Sequence, residues 1–120
     1  MARAIVLLGM LLGAAGTLPA ADISGTWIFD VQLDAGSGSP TFEFKQDGEK
    51  LTGTYRGQLG EAPLEGTLKG DRIRFTFKVS AGGDSVEVVY EGAVEGQDAM
   101  KGKASYGNFA SGTWTGKRKR

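Results

Sequence analysis

Apolar and polar residues alternate along almost the whole chain from Ile23 onward, and this period of two constrains the fold more than any other feature. Successive side chains of a β-strand point to opposite faces, so the alternation predicts strands with one apolar and one polar face. From Ile23 onward no segment shows the 3.6-residue period of an amphipathic helix. The pattern recurs in eight segments, at 23–33, 42–45, 51–59, 64–69, 72–79, 86–95, 100–106 and 110–115. The sequence therefore predicts an all-β protein of eight strands.

Short turn sequences separate most of these segments. Glycine, asparagine and aspartate adopt the backbone angles that tight hairpins require, and short connections make consecutive strands antiparallel neighbours. The turn sequences are Asp47-Gly48, Gly70-Asp71, Gly82-Gly83-Asp84, Gly96-Gln97-Asp98 and Gly107-Asn108. We therefore expect an up-and-down meander, in which the strands lie side by side in chain order. The longer connection at 34–40 is expected to form a mobile flap or a rim loop.

The meander is expected to close into a single barrel, because pairing the last strand with the first buries the apolar face and removes both sheet edges. Glycine at apolar-face positions supports closure, since it relieves crowding where a sheet bends sharply. These positions are Gly25, Gly53, Gly57, Gly66, Gly92, Gly102 and Gly112. An outer-membrane barrel is excluded, because charged outward residues such as Arg74 and Glu87 would contact lipid.

A Gly-Thr-aromatic triplet occurs three times, as Gly25-Thr26-Trp27, Gly53-Thr54-Tyr55 and Gly112-Thr113-Trp114. Each residue of the triplet has a structural explanation. Glycine permits curvature, threonine favours a strand on the hydrated face, and the aromatic ring fills space inside the barrel. The triplet therefore predicts barrel packing and does not by itself identify a ligand.

The first twenty residues are interpreted as a secretory signal peptide, with a retained N-terminal anchor as the alternative. A positive start at Arg3 precedes an apolar run, and small residues allow cleavage after Ala20. We therefore predict a signal peptide at 1–20, a barrel at 21–116, a basic C-terminal tail at 117–120, and a secreted or periplasmic location.

The chain contains no histidine and no cysteine, which removes the commonest general base, nucleophile partner and metal ligand. Its carboxylates fall on predicted turns or on the outward face, as do Asp71 and Glu91. The formal net charge is zero, so general attraction to nucleic acid is not expected. The sequence predicts a protein that is not an enzyme, has no cofactor or metal site, binds no nucleic acid, and does not span a membrane once the signal is removed.

The motifs Ile23-Ser-Gly-Thr-Trp27, Leu51-Thr-Gly-Thr-Tyr55 and Ser111-Gly-Thr-Trp114 resemble those of the calycin superfamily of meander barrels, which includes lipocalins and avidins. The resemblance implies a ligand in the barrel lumen, with Tyr55 at the position of an avidin tyrosine that contacts biotin, and it implies that Arg118 packs over Trp27. Phe29 and Gly57 depart from the polar residues that avidins carry there, so tight biotin binding is not expected.

Alternation predicts that ten aromatic side chains point inward. They are Trp27, Phe29, Phe42, Phe44, Tyr55, Phe75, Phe77, Tyr90, Tyr106 and Trp114. The sequence leaves open whether they fill the barrel completely or line a small apolar pocket. We expect an exported protein that binds a small hydrophobic or amphipathic molecule in its lumen. The expected contact residues are Trp27, Phe29, Tyr55, Phe75, Phe77, Tyr90, Tyr106 and Trp114.

The alternative is a protein-interaction or protease-inhibitor-like module with a fully packed core and an envelope protein as partner. The rim loop at 34–40, the outward apolar residues Ile28 and Val89, and the basic tail would form its contact surface.

Overall fold

The computed structural model describes residues 22–81 and 83–119, and within them every regular element is a β-strand. The predicted signal peptide and the terminal Arg120 lie outside the described residues. The strands are β1 (Gly25–Leu33), β2 (Gly36–Gly38), β3 (Thr41–Asp47), β4 (Lys50–Gly57), β5 (Gly60–Lys69), β6 (Arg72–Ala81), β7 (Asp84–Glu95), β8 (Ala99–Tyr106) and β9 (Ala110–Arg118). None of the described residues belongs to a helix that is long and apolar enough to cross a membrane.

Eight of these strands form a closed antiparallel meander barrel, as the alternation and the short turns predict. The order is β1-β3-β4-β5-β6-β7-β8-β9, and β9 then pairs with β1. The closing seam is seven residue pairs long and runs from Trp27 opposite Arg118 to Leu33 opposite Gly112. We call the end where β1 begins and β9 ends the closed end, and the opposite end the open end.

The segment 34–40 differs from the predicted mobile flap, because it contains β2 and is bonded to the barrel wall. β2 pairs with the last three residues of β1, from Val31 opposite Gly38 to Leu33 opposite Gly36. The Asp34 amide donates to the Ser111 carbonyl at 3.0 Å, and the Ser111 amide donates to Asp34 Oδ1 at 3.1 Å. These hydrogen bonds hold a β-hairpin at the rim. The rim position itself agrees with the prediction.

The segment 51–59 also differs from the prediction, because its strand ends at Gly57 and the chain turns at Gln58 and Leu59. Leu59 is 41% exposed and is not an inward-facing core residue. β5 then begins at Gly60, four residues before the predicted start, and adds Ala62 to the core. The two turn residues, Gln58 and Leu59, are neither glycine, asparagine nor aspartate, so they do not by themselves indicate a turn.

The predicted inward face is confirmed by burial. Nine of the ten inward aromatic residues are at most 5% exposed, and Tyr106 is half-buried against the same core. Within the described residues, none of the buried side chains is charged, and the polar groups among them are those of tyrosine and tryptophan. Burial of this apolar face provides the main driving force for folding, at about 25 cal/mol for each Å² removed from water.

The segment before β1 seals the closed end. Ile23 is fully buried, its amide donates to Gln46 Oε1 at 2.9 Å, and its carbonyl accepts the Trp27 indole N–H at 2.9 Å. The Arg118 guanidinium lies 4.8 Å from the centre of the Trp27 ring, as the resemblance to lipocalins implies. β9 continues to Arg118, so Lys117 and Arg118 belong to the barrel wall and not to a tail.

Glycine permits close approach of neighbouring strands at the triplets. A Cβ on Gly53 would overlap the Glu43 carbonyl oxygen on β3, and a Cβ on Gly112 would overlap the Gln32 carbonyl oxygen on β1. Since a backbone carbonyl in a paired strand cannot rotate away, these two positions require glycine. This observation supports the structural explanation of the triplet.

Candidate functional site

A cavity of about 780 Å³ lies at the open end of the barrel, and we call it the open-end cavity. Its walls are the last residues of β1, the β1–β2 hairpin, the turn after β4, the adjoining ends of β6 and β7, and the turn between β8 and β9. Because β9 pairs with β1, these segments form a continuous ring around the opening. The cavity is therefore a product of barrel closure.

The open-end cavity is lined mainly by apolar groups. Val31, Leu33, Val79 and Val86 form the wall, and Pro40, Leu59, Phe109 and Ala110 lie nearer the rim. The polar lining comes from tyrosine, serine and glutamine side chains and from glycine backbone, at Ser37, Gly38, Ser39, Tyr55, Gly57, Gln58 and Tyr106. None of the described lining residues carries a charge. Such a lining suits an uncharged guest with a large apolar surface.

Two of the eight predicted contact residues, Tyr55 and Tyr106, line the open-end cavity. The other six lie in the packed core and outside the cavity lining. They are Trp27, Phe29, Phe75, Phe77, Tyr90 and Trp114. The sequence places all eight on the inward face but does not specify their depth along the barrel.

The core beneath the cavity is filled by aromatic rings in contact. Phe29 stacks on Trp114 with ring centres 4.5 Å apart, and it also lies 4.5 Å from Phe42. Phe75 stacks on Tyr90 at 5.1 Å. The Trp114 indole N–H donates to the Lys103 carbonyl at 2.9 Å, so its polar group is satisfied within the wall. The interior is thus packed toward the closed end and open toward the rim, a combination of the two states that the sequence leaves open.

Tyr55 lies at the boundary between this core and the cavity. Its ring stacks on Phe77 with centres 4.4 Å apart, and its hydroxyl accepts a long hydrogen bond of 3.4 Å from the Leu59 amide. Burial raises the pKa of Tyr55 above its ordinary value, which lies well above physiological pH, and the phenol is therefore neutral. Gly57 provides the space for the phenol, because a Cβ there would lie 2.5 Å from the Tyr55 hydroxyl.

Tyr106 lines the cavity and joins it to the core through Tyr90. The two hydroxyl oxygens are 2.6 Å apart, and the Tyr90 side chain is fully buried while Tyr106 is half-buried. Burial raises the pKa of Tyr90 well above its ordinary value, and the neighbouring Tyr106 raises it further. Burial also raises the pKa of Tyr106, although its hydrogen bond with Tyr90 acts in the opposite direction.

Several lining residues are absent from the predicted contact set. Val31, Leu33, Val79 and Val86 belong to the predicted inward face, and their shared position at strand ends near one rim is the signal that could have identified them. Pro40, Gln58, Leu59 and Phe109 lie in connections whose conformations the sequence does not specify.

A second depression, of about 590 Å³, lies on the outer face above the Gly92–Gly102 pair of β7 and β8. Arg72, Glu91 and Lys103 contribute to its exposed, charged walls. Lys101 also lines it and forms an ion pair of 3.2 Å with Glu95. Among the described residues, no group of three or more acidic side chains is arranged to hold a metal ion.

Comparison with solved structures identifies barrels of the same fold. The chain superimposes on a redesigned β-barrel, b11L5F_LGL, with a TM-score of 0.68 and 15% identity, covering 82% of this chain and 92% of that one. It superimposes on a second redesigned β-barrel, mFAP1 bound to DFHBI, with a TM-score of 0.61 and 14% identity, covering 80% and 94%. No protein-family model and no curated protein sequence matches the chain. The likeness shows a closed antiparallel barrel.

Proposed function

We propose that this protein binds one small, uncharged and largely apolar molecule in the open-end cavity and catalyses no reaction on it. The observation that carries the proposal is a cavity of about 780 Å³ that has an apolar wall, is closed beneath by packed aromatic rings and is open at the rim. Small-molecule sites in proteins have volumes of about 300–1,000 Å³ and usually combine apolar walls with a few polar groups. The open-end cavity has both properties.

The charge of the lining supports an uncharged guest. Transfer of an ion from water into an apolar site is costly unless a partner of opposite charge is present, and none of the described lining residues supplies one. Asp34 lies nearby but is already bonded to the Ser111 amide. A carboxylate at the inner end of a ligand would therefore bind less tightly than a neutral group of similar shape.

The mFAP1 structure gives independent support, since it contains a small molecule, DFHBI, bound to a barrel of this fold. A barrel of this fold can therefore bind a small molecule. This support concerns capacity only, because the two chains share 14% identity and their lining residues need not correspond.

The proposal includes kinship with calycins and export to a secreted or periplasmic location. The Gly-x-Trp motif with Arg118 packed over Trp27 supports the kinship. The signal-like composition of residues 1–20 supports export. The absence of catalysis is supported by the tyrosines at the cavity, because burial raises the pKa of Tyr55 and of Tyr106 and keeps both phenols protonated, so that neither accepts a proton as a general base at neutral pH.

A second candidate function is contact with an envelope protein at the rim. Phe109 is 67% exposed and Leu59 is 41% exposed, and both lie at the cavity mouth. Exposed apolar side chains that cluster in this way are typical of contact surfaces. A partner there would cover the opening and compete with a small ligand for access.

The experiment that tests the proposed function is a fluorescence titration with N-phenyl-1-naphthylamine, an uncharged aromatic probe that becomes brighter in apolar surroundings. Ala110→Phe adds a ring at a cavity-lining position, whereas Ser111→Phe adds the same ring to the exposed face of the same strand. We expect saturable one-to-one binding by the unmodified chain and by Ser111→Phe. We expect at least tenfold weaker binding by Ala110→Phe.

Two results would count against the proposal. The first is the absence of saturable binding by the unmodified chain. The second is an equal affinity of Ala110→Phe and Ser111→Phe, which would locate the probe away from the open-end cavity. Circular dichroism of each variant verifies that the barrel remains folded.

A further inference from the structure

The Tyr90–Tyr106 pair lies where the packed core meets the open-end cavity. Its 2.6 Å hydrogen bond joins a fully buried phenol to a phenol of a cavity-lining residue. Two hydroxyls can share one hydrogen bond in either direction, and the direction decides which hydrogen remains available to a third group. The positions of the two side chains determine that direction.

Burial favours Tyr90 as the donor. Among the described residues, Tyr106 Oη is the hydrogen-bond partner of Tyr90 Oη, and the apolar neighbours of the Tyr90 ring include Phe29, Phe75 and Trp114. If Tyr90 accepted from Tyr106, its own hydrogen would face apolar rings without an acceptor. An unsatisfied buried donor is unfavourable, whereas Tyr106 borders a space that water or a ligand can enter.

Burial raises the pKa of Tyr90 and of Tyr106, so both phenols keep their hydrogens at neutral pH. With Tyr90 as the donor, its hydrogen points to the Tyr106 oxygen. The Tyr106 hydrogen is then directed to another acceptor.

We propose that Tyr106 donates this hydrogen to an acceptor atom of the bound molecule, so that the open-end cavity selects uncharged apolar compounds that carry a carbonyl oxygen at their inner end. This assignment rests on the proposed function. Tyr106 is the contact residue, and Tyr90 is a positioning residue that holds the Tyr106 oxygen from behind. The phenol would thus discriminate between ligands of the same size and shape.

The test compares two compounds of nearly identical shape. 2-Acetylnaphthalene carries a carbonyl oxygen, and 2-isopropenylnaphthalene carries a methylene group in its place. A net hydrogen bond contributes about 1 kcal/mol, which corresponds to about fivefold in affinity. We expect the unmodified chain to bind the acetyl compound about fivefold more tightly, measured by isothermal titration calorimetry or by displacement of N-phenyl-1-naphthylamine.

Two variants test whether the preference for the acetyl compound depends on the Tyr90–Tyr106 pair. Tyr106→Phe removes the donor, and we expect it to bind both compounds with similar affinity. Tyr90→Phe leaves the Tyr106 hydroxyl in place, and we expect the preference for the acetyl compound to be retained or moderately reduced. If Tyr106 instead donates to Tyr90 in the unmodified chain, Tyr90→Phe would release the Tyr106 hydrogen and increase the preference.

The outcomes separate this assignment from the proposed function. Equal binding of both compounds by the unmodified chain would overturn the assignment and leave the proposed function intact. An unchanged preference in Tyr106→Phe, or an increased preference in Tyr90→Phe, would also overturn it. Binding of neither compound and of no N-phenyl-1-naphthylamine would overturn both.

Discussion

At the residue scale, Arg118 connects three segments at the closed end. Its guanidinium donates to the Asp22 carbonyl at 2.8 Å, to the Ser24 carbonyl at 2.8 Å and to the Gln97 carbonyl at 3.0 and 3.1 Å, while it lies over Trp27. A planar guanidinium can make all of these contacts at once, and an ammonium group cannot. The side chain therefore joins the N-terminal segment, the β7–β8 turn and the closing seam.

We predict that Arg118→Lys lowers the free energy of unfolding by about 2 kcal/mol, because it keeps the charge and loses most of these hydrogen bonds. Lys119→Gln is the control, since Lys119 is exposed and its backbone amide already bonds to the Thr26 carbonyl. Urea denaturation followed by tryptophan fluorescence measures both. If the urea midpoint of Arg118→Lys equals that of Lys119→Gln, Arg118 does not stabilise the closed end as predicted.

At the element scale, replacing a glycine on the inward face by alanine has different consequences at different positions. The Cβ of an alanine at Gly112 would overlap the backbone of β1 at the closing seam, whereas the nearest atoms to a Cβ at Gly57 belong to the phenol of Tyr55. Backbone in a paired strand moves only if the seam moves, but a phenol can rotate. Residues that look equivalent in the alternation are therefore not equivalent in the barrel.

We predict that Gly112→Ala lowers the free energy of unfolding by about 3 kcal/mol, at the upper end of the range for overpacking. Gly57→Ala should cost less than about 1 kcal/mol but should change the affinity for N-phenyl-1-naphthylamine, because it displaces Tyr55 at the cavity. Thermal denaturation and probe titration of the two variants measure these effects. Similar stability losses in both variants would show that the closing seam has no special sensitivity.

The elements themselves were largely predictable from the sequence, because burial on one face fixes the register of every strand to within the two-residue period. The alternation identifies eight barrel strands, and the glycine-containing turns identify most of the hairpins. The turn at Gln58-Leu59 and the strand β2 were not predictable. Tertiary pairing determines them, and neither carries a distinctive local pattern.

At the scale of the whole molecule, the site was only partly predictable. The sequence predicts Tyr55, Tyr90 and Tyr106 as the polar contacts of an apolar lumen, and of these Tyr55 and Tyr106 line the open-end cavity, whereas Tyr90 lies in the core. The depth of each ring depends on strand stagger and on how Phe29, Phe42 and Trp114 pack against one another. Alternation predicts whether a side chain points into the barrel but not how deep along the barrel axis it lies. The cavity therefore could not be located from the sequence.

Whole-molecule stability is predicted to fall at alkaline pH. The chain has three tyrosines, and burial raises the pKa of all three in the folded barrel. The unfolded chain ionises near pH 10 while the folded chain keeps its protons, so stability is complete below about pH 10 and is lost above it. Tyr90 alone contributes a slope of about 1.4 kcal/mol per pH unit in that range.

Ultraviolet absorbance of phenolate together with urea denaturation at a series of alkaline pH values measures this effect. We expect little phenolate while the barrel is folded and a cooperative increase on unfolding. Tyr90→Phe should show a shallower loss of stability with pH. Gradual titration of all three tyrosines near pH 10 in a folded chain would contradict the predicted burial.

The barrel is packed at its closed end, and we propose that it receives a ligand at its open end. The most direct measurement is a titration of isotope-labelled protein with N-phenyl-1-naphthylamine followed by two-dimensional amide NMR. We predict saturable shift changes that are largest at the open-end cavity, around 33–40, 57–60 and 106–110. Changes centred on Trp27 and Arg118 at the closed end, or no saturable changes at all, would contradict ligand binding at the open end.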